Sequence, residues 1–459
     1  MSKTTGFYLE RPTRVRWEIL ALLMAFSFMS WLNRTSIAVA YDLQIKKQFA
    51  ISEQQIGMVY SAFFLAYAIF MTPGGWLADR IGARAALLLV GFGSALFTTL
   101  TGYLGFLTSS QSFALLGVAA TANFVMTYLL VVRFAMGLCT APIYPASGRA
   151  VGHWMPPDRR ASANGFITGA ALVGNASSFV ILGALIDWLD WPGALTIAAY
   201  LTASVAILWA LKAKDHPDQH AQVNNSERRL IAAAERLPAW KAFRQAPERP
   251  VSSSWVKLFS NRSLLLLTLS YAAVGYFEYL FFFWMHHYFV DVLHLDKQLS
   301  RYYTCIALLA MAGGMVLGGR LSDRLQQRHG RRWARLIVAA GGMLAGAFLL
   351  ICGLAATQPV WIVIWFSSAL AAVGASEGPF WTTAIELGDR YSGTAFGIFN
   401  TGGNLGGLLA PSVTPLVCAY LPTGWDEMFR WKLAISLGSV VCILGAALWW
   451  KIDPNAKTE

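Results

Sequence analysis

Six polar side chains stand in stretches that are otherwise apolar. They are Arg34 within 17–40, Arg133 within 118–146, Glu278 within 262–289, Glu377 within 359–384, and Asn400 and Asn404 within 393–421. A charge at the centre of an apolar helix in lipid costs about 2.5–3.5 kcal/mol on insertion scales, so such a group must face a partner or a polar cavity. Arg34 offers a fixed positive charge whose planar fork matches a carboxylate through two parallel hydrogen bonds. Arg133 stands under the same cost and points to the interior of a helix bundle. For both, the alternative is a structural ion pair. Glu278 lies in Tyr276-Phe277-Glu278-Tyr279-Leu280-Phe281-Phe282-Phe283-Trp284, where Tyr271, Gly275, Glu278 and Phe282 share one helical face. A carboxyl that is buried in one state and beside an arginine in another takes up and releases a proton; permanent pairing with Arg34 or Arg133 is the alternative. Asn400 and Asn404, four residues apart in a Gly-rich run, either contact a hydroxylated solute or bond neighbouring helices. Tyr144 and Trp381 are further candidates for the same cavity, or plain packing.

The elements that must position these groups follow from composition. Of 459 residues, 56% are hydrophobic and 13% charged. A soluble domain carries about 25% charged residues, so lipid is the solvent that fits. Apolar stretches near the roughly 20 residues a membrane helix needs recur at 17–40, 54–78, 84–107, 118–146, 161–186, 191–211, 262–289, 301–321, 333–356, 359–384, 393–421 and 430–450. The fold class is an all-α membrane protein with twelve transmembrane helices. Residues 106–120 read either as a long loop or as an extension of the fourth span. With the N-terminus inside, roughly 28 of the 36 Lys and Arg fall on one side and roughly 6 on the other. This predicts a cell (inner or plasma) membrane protein with both termini cytoplasmic, and assigns the net charge of +12 to the membrane surface rather than to nucleic acid. The first apolar stretch is too long for a cleaved signal peptide. The five cysteines show neither metal nor disulfide spacing, and no cofactor, metal or enzyme motif is evident.

The longest polar stretch divides the spans into a bundle over 1–211, a linker over 212–261 and a bundle over 262–459. Within the linker, 225–235 predicts a short amphipathic helix with an Asn or Ser cap. The halves repeat. Gly74-Gly75-Trp76-Leu77-Ala78-Asp79-Arg80 returns as Gly318-Gly319-Arg320-Leu321-Ser322-Asp323-Arg324. Gly137 to Pro142 returns as Gly374 to Pro379, and Ala163-Asn164-Gly165 with Gly174 returns as Ala395-Phe396-Gly397 with Gly406. Parallel repeats of this kind place a binding site between the halves near mid-membrane and alternate its access by rocking. The repeat sets Glu377 opposite Thr140.

The run Gly74 to Arg84 resembles the signature of the major facilitator superfamily: Gly75, three residues, Asp79, Arg80, any residue, Gly82, then the basic Arg84. The resemblance implies a gating latch made by Gly75, Asp79, Arg80 and Arg84, with Asp323 and Arg324 as its second copy. Trp31 to Ala40, Ser52 to Arg80, Val131 to Pro145 and Phe399 to Pro411 resemble, more closely still, the anion:cation symporter family of organic-anion and sugar-acid carriers, which includes the sialic acid and vesicular glutamate carriers. The resemblance implies that Arg34 serves substrate and coupling, that Arg133 is the arginine preceding the glycine-rich turn of the fourth span, and that Tyr67 contacts substrate. It also puts Glu278, six residues before Trp284, at the place of a polar substrate ligand.

Two positions depart from that pattern. Proton-coupled members carry Asp before the first-span arginine and Glu in the turn of the fourth span; here these are Asn33 and Thr140. The half-repeat suggests that Glu377, with Glu278, supplies the missing titrating group. The expectation is a monomeric proton-coupled carrier of a small organic anion. The alternatives are a proton-independent exchanger or facilitator, a sodium-coupled carrier, a carrier of a zwitterion, and, more remotely, a membrane sensor. The sensor reading would need an appended signalling domain, which the chain end shortly after Trp450 does not suggest.

Overall fold

Twelve helices, each long enough to cross a bilayer, form two six-helix bundles among the described residues. The structure is a computed structural model and describes residues 11–108, 118–233, 255–422 and 424–456. The helices are α1 (Val15–Ala40), α2 (Glu53–Ile81), α3 (Ala83–Thr108), α4 (Val118–Thr140, continued by Ile143–Trp154), α5 (160–189), α6 (191–212), α7 (Arg262–His287), α8 (297–329), α9 (331–355), α10 (Pro359–Gly374, continued by Glu377–Gly388), α11 (Ser392–Tyr420) and α12 (Glu427–Leu448). Most of the 106–120 segment, 109–117, lies outside the described residues, as does 234–254 of the linker.

Local chemistry sets the ends. Ser52 and Gln55 close a reciprocal capping box at the start of α2. Asn261 and Asp426 cap α7 and α12 by accepting from the third backbone N–H beyond them, at 3.1 and 3.2 Å. Asp190, at φ 56°, turns the chain between α5 and α6 with Pro192 just inside the next helix. Gly82 at φ +87° and Gly330 at φ +76° make the corresponding turns after α2 and α8, where the left-handed backbone favours glycine. By length and hydropathy nine described stretches qualify as spans, with Tyr302–Ala355 counted as one although Gly330 bends it. α11 is absent from the nine because it carries six glycines, two prolines and two asparagines. Those residues belong to a helix that packs closely against others, not to one bathed in lipid.

Among the described residues, the start of α1, the 212–233 linker segment and the 452–456 segment lie at one end of the bundles, called the basic face below. The expected linker helix spans Asn225–Ala233 and is capped by Asn224, one residue earlier than expected, whose side chain accepts from Glu227 N at 2.9 Å. It is docked rather than simply solvated. Glu227 is fully buried, accepts from Thr13 Oγ1 and from the backbone N–H groups of Val15 and Arg16, and pairs with the Arg16 guanidinium at 2.8 Å. A carboxylate there satisfies the open first turn of α1 and complements its dipole.

The bundles meet through α2 against α11 and α5 against α8. A Cβ at Gly75 would collide with the carbonyl oxygen of Gly393, and one at Gly319 with that of Ala161. Only glycine allows so close an approach. These contacts begin near the basic face, where Asn164 Nδ2, one turn into α5, donates to Thr382 Oγ1 at 3.1 Å, and continue to Asn404 Nδ2, which lies 3.5 Å from Met71 Sδ. α4 and α10 break at the same depth, after Thr140 and Gly374. Their backbone groups remain paired across the breaks, Ala141 N to Gly137 O at 3.0 Å and Ala375 N to Ala371 O at 3.0 Å, as a lipid setting requires.

Candidate functional site

Between the bundles, above those contacts, lies a cavity of about 80 Å³, several times the roughly 10–15 Å³ that one water needs. Its wall from the first half carries Trp31, Arg34, Tyr67, Tyr144, Thr168 and Leu172; its wall from the second carries Tyr271, Glu278, Tyr279, Glu377, Asn400 and Asn404, among others. The face expected on α7 is present as a unit, since Tyr271, Gly275, Glu278 and Phe282 all line the space.

Arg34 is held by aromatic rings. Its guanidinium carbon lies 4.8 Å from the Trp31 ring centre, 5.2 Å from Phe63, 4.1 Å from Phe64 and 5.1 Å from Tyr67. Such contacts are worth about 0.5–2 kcal/mol each and fix the head without neutralising it. Nε and Nη2 are buried and find no hydrogen-bond partner among the described residues. Trp31 in turn donates to Tyr144 Oη at 2.5 Å, and Tyr144 meets Trp381 edge-on at 5.0 Å across the two halves. That pair floors the cavity toward the basic face.

On the opposite wall the carboxyls of Glu278 and Glu377 come within hydrogen-bonding reach of each other. Tyr271 Oη donates to Glu377 Oε2 at 3.0 Å and receives from Trp381 Nε1 at 3.2 Å. An ionised carboxylate only accepts, so a bond between the two acids requires a proton on one of them. Among the described residues, Asn400, Tyr67 and Tyr279 make no side-chain hydrogen bond that would occupy their polar atoms, and Asn404 makes only its weak contact with Met71.

Arg133 is not part of the cavity lining. It is 2% exposed; Nη2 donates to the backbone oxygen of Arg34 at 2.7 Å and Nη1 to that of Asn33 at 3.4 Å, with the guanidinium 5.2 Å from the Phe63 ring. The expectation of two arginines on one carboxylate is corrected: Arg133 braces the α1 backbone that carries Arg34. The cage residues Phe63, Phe64 and Trp31 were missed in the sequence. Their signal is spacing, since Trp31 stands three residues before Arg34, and Phe63 and Phe64 stand four and three residues before Tyr67.

At the basic face the two repeated acids do the same thing. Asp79 accepts from Gly393 N, Thr394 N and Thr394 Oγ1 at 2.9, 2.7 and 2.7 Å, and Asp323 from Ala161 N and Ser162 N at 3.2 and 2.7 Å. Each closes the first turn of a helix in the other half, where amide groups and helix dipole both favour an anion. The basic members of the motif behave otherwise than expected. Asp79 pairs with Arg149 at 2.8 Å; Arg80 is exposed and stacks 5.3 Å from Trp76. Arg84 bonds Ala210 O and, through its backbone, Asp215, and Arg324 is exposed. Glu386, which takes the place of Arg149 in the second repeat, pairs with Arg335 at 3.2 Å.

A family model described as Major Facilitator Superfamily matches residues 23–411. The chain belongs to the major facilitator superfamily. It is accordingly a multi-pass membrane transporter and not an enzyme. Among curated relatives, a probable sulfoacetate transporter of Cupriavidus necator is 27% identical over 410 residues, covering 88% of each chain. A probable galactarate/D-glucarate transporter of Bacillus subtilis is 27% identical over 446 residues, covering 95% of this chain and 92% of its own. A solved proton:xylose symporter matches with a TM-score of 0.70 at 15% identity over 95% of this chain and 96% of its own, and the E. coli fucose:proton symporter with 0.65 at 16% over 95% and 99%. At such identities these structures speak to the superfamily fold alone. Within it, the departures at Asn33 and Thr140 have a structural setting. Asn33 faces away from the cavity and donates to Ser94 Oγ at 3.2 Å and Thr202 Oγ1 at 2.7 Å, while Thr140 donates to Met136 O at 2.8 Å.

Proposed function

We propose that the protein carries a small organic anion, a carboxylate of the sugar-acid kind, across the cell membrane by alternating access, with the basic face and both termini in the cytoplasm. The observation that carries the reading is Arg34: a guanidinium in the mid-membrane cavity whose buried Nε and Nη2 are unpartnered among the described residues. Buried donors left unmade are costly, and an incoming carboxylate supplies both acceptors in a bidentate bond. Relatives named as probable sulfoacetate and galactarate/D-glucarate transporters agree with an anionic cargo, although those solutes carry two anionic groups. Tyr67 and Asn400 would hold the rest of the solute with Asn404, while Tyr144 and Trp381 close the floor.

Coupling is assigned to the Glu278–Glu377 pair. With one shared proton the pair holds a single negative charge, which balances Arg34. When the anion occupies Arg34, a second proton on the pair restores neutrality in a region of low dielectric, where an uncompensated charge is disfavoured. Anion and proton then cross together as the bundles rock, and the Asp79 and Asp323 caps break and re-form. The halves 1–211 and 262–459 move as bodies, the linker helix riding with the first through Glu227. The protein works as a monomer because each chain has its own cavity.

The test is uptake into proteoliposomes under an imposed pH gradient. The expected result is accumulation in the wild type, its loss in Glu278→Gln and Glu377→Gln, and retention of gradient-free counterflow in both. Full proton-driven accumulation in these variants, alone and combined, would remove the coupling assignment. Asn33 and Thr140, both turned from the cavity, favour a second reading, an exchanger or a sodium-coupled carrier. Its outcomes are counterflow without accumulation, or accumulation under a sodium gradient only.

A further inference from the structure

We infer that the cavity selects solutes bearing one anionic group and rejects those with an anion at each end. The inference rests on Arg34 as the anion site, as proposed above, and concerns the rest of the solute. The walls are unequal. The first-half wall has Arg34 as its charged side chain, and the second-half wall has two carboxyls and no cation. The second arginine that could have answered another negative group, Arg133, lies outside the cavity lining, with both Nη groups on the backbone oxygens of residues 33 and 34.

A solute seated with its carboxylate on Arg34 lays its far end against Glu278, Tyr279 and Asn400. A hydroxyl or amide there finds partners: Glu278 Oε1 is buried and unpaired among the described residues, and the Asn400 amide is free. An ammonium is welcome for the same reason. A second carboxylate meets like charge with nothing to offset it, and would enter only as its protonated acid. Charge count leads to the same conclusion. Arg34, one ionised member of the glutamate pair, a monoanion and one further proton sum to zero, whereas a dianion leaves one charge uncompensated in the interior.

The aromatic surroundings narrow the middle of the solute. Tyr144 Oη accepts from Trp31 Nε1 and keeps its own O–H to donate, while Tyr271 Oη both donates to Glu377 and accepts from Trp381, so Tyr271 presents its ring rather than its hydroxyl.

The experiment is equilibrium binding to the purified full-length protein in nanodiscs, using two matched pairs that differ in the far-end group: D-galactonate against galactarate, and 4-hydroxybenzoate against terephthalate. The expected result is a monoacid that binds at least about tenfold tighter than its diacid in every pair that binds. Glu278→Gln with Glu377→Gln should shrink that ratio about tenfold by admitting the diacid. A diacid that binds the wild type as tightly as its monoacid, or a ratio unmoved in a folded double variant, overturns the inference while leaving anion transport intact. Failure of all four probes to bind sinks the anion reading along with it. Should the double variant not fold, the wild-type ratio alone decides.

Discussion

The two halves of this transporter agree at the basic face and disagree at mid-membrane. At the face, Asp79 and Asp323 each cap a helix of the opposite bundle, at the same place in the repeat and with similar geometry. At mid-membrane one wall offers a guanidinium and the other a pair of carboxyls. The difference separates two tasks. Closing and opening the halves is symmetric work, and duplicated sequence does it in duplicate. In the proposed cycle, holding an anion with its proton needs opposite charges on opposite walls, and there the repeat has diverged. Even the latches differ in strength: the first adds the Arg149 ion pair, while the second has Glu386 in that position, turned to Arg335.

The largest expected effect removes the contrast between the walls. Arg34→Ala should weaken anion binding about 100-fold or more, the order seen when a buried charge loses its partner. Arg34→Lys should recover only part of this, because an ammonium lacks the planar fork; binding isotherms read both. Next, the latches can be ranked by thermal denaturation of the purified protein. Asp79→Ala should cost about 2–3 kcal/mol, since it removes the Arg149 ion pair together with a helix cap, and Asp323→Ala about 1–2 kcal/mol, the worth of a helix cap. In a double-mutant cycle with Arg149→Ala, the non-additive part should measure the Asp79–Arg149 pair. Equal costs at the two acids would mean that the Arg149 pair contributes nothing. Smaller still, Asn33→Ala should cost about 1 kcal/mol through its two hydrogen bonds and leave anion affinity unchanged. A change in affinity would return that position to the site.

The smallest effect is a pH dependence confined to the first latch. His216, outside the spans, stacks on His153 at 4.3 Å near Arg149. Burial foremost, with Arg149 assisting against the opposing pull of Asp215, holds the His216 pKa below its ordinary 6.5. The folded state therefore binds the proton less readily than the unfolded chain. The resulting stability is fully present above pH 6.5 and is lost as pH falls below it through the depressed value. A slight drop in melting temperature on acidification, reduced in His216→Gln, is the expected signature.

Much of this was legible beforehand. Span positions follow from runs of apolar residues, because lipid tolerates few alternatives to a satisfied helix. The latch acids follow from a repeated motif, and the α7 face from 3.6-residue periodicity. Arg34, Glu278, Glu377, Asn400 and Asn404 were identifiable because a polar group in an apolar helix must have a reason. The partners of those groups were not legible. That Asp79 takes Arg149 rather than its neighbours Arg80 or Arg84, and that Arg133 turns to the α1 backbone instead of the cavity, depends on how helices rotate against one another. A rotation of one residue is about 100°, enough to move a side chain from cavity to brace.

By itself the sequence determined a membrane solvent, a two-fold repeat and a short roster of groups too costly to bury without use. Tertiary packing decided which of them meet. It placed one arginine in a ring of aromatics with no counter-ion among the described residues and the other against peptide oxygens, and it brought two glutamates ninety-nine positions apart within reach of each other across α7 and α10. Composition and periodicity are properties of single helices, whereas charge pairing is a property of the space between them.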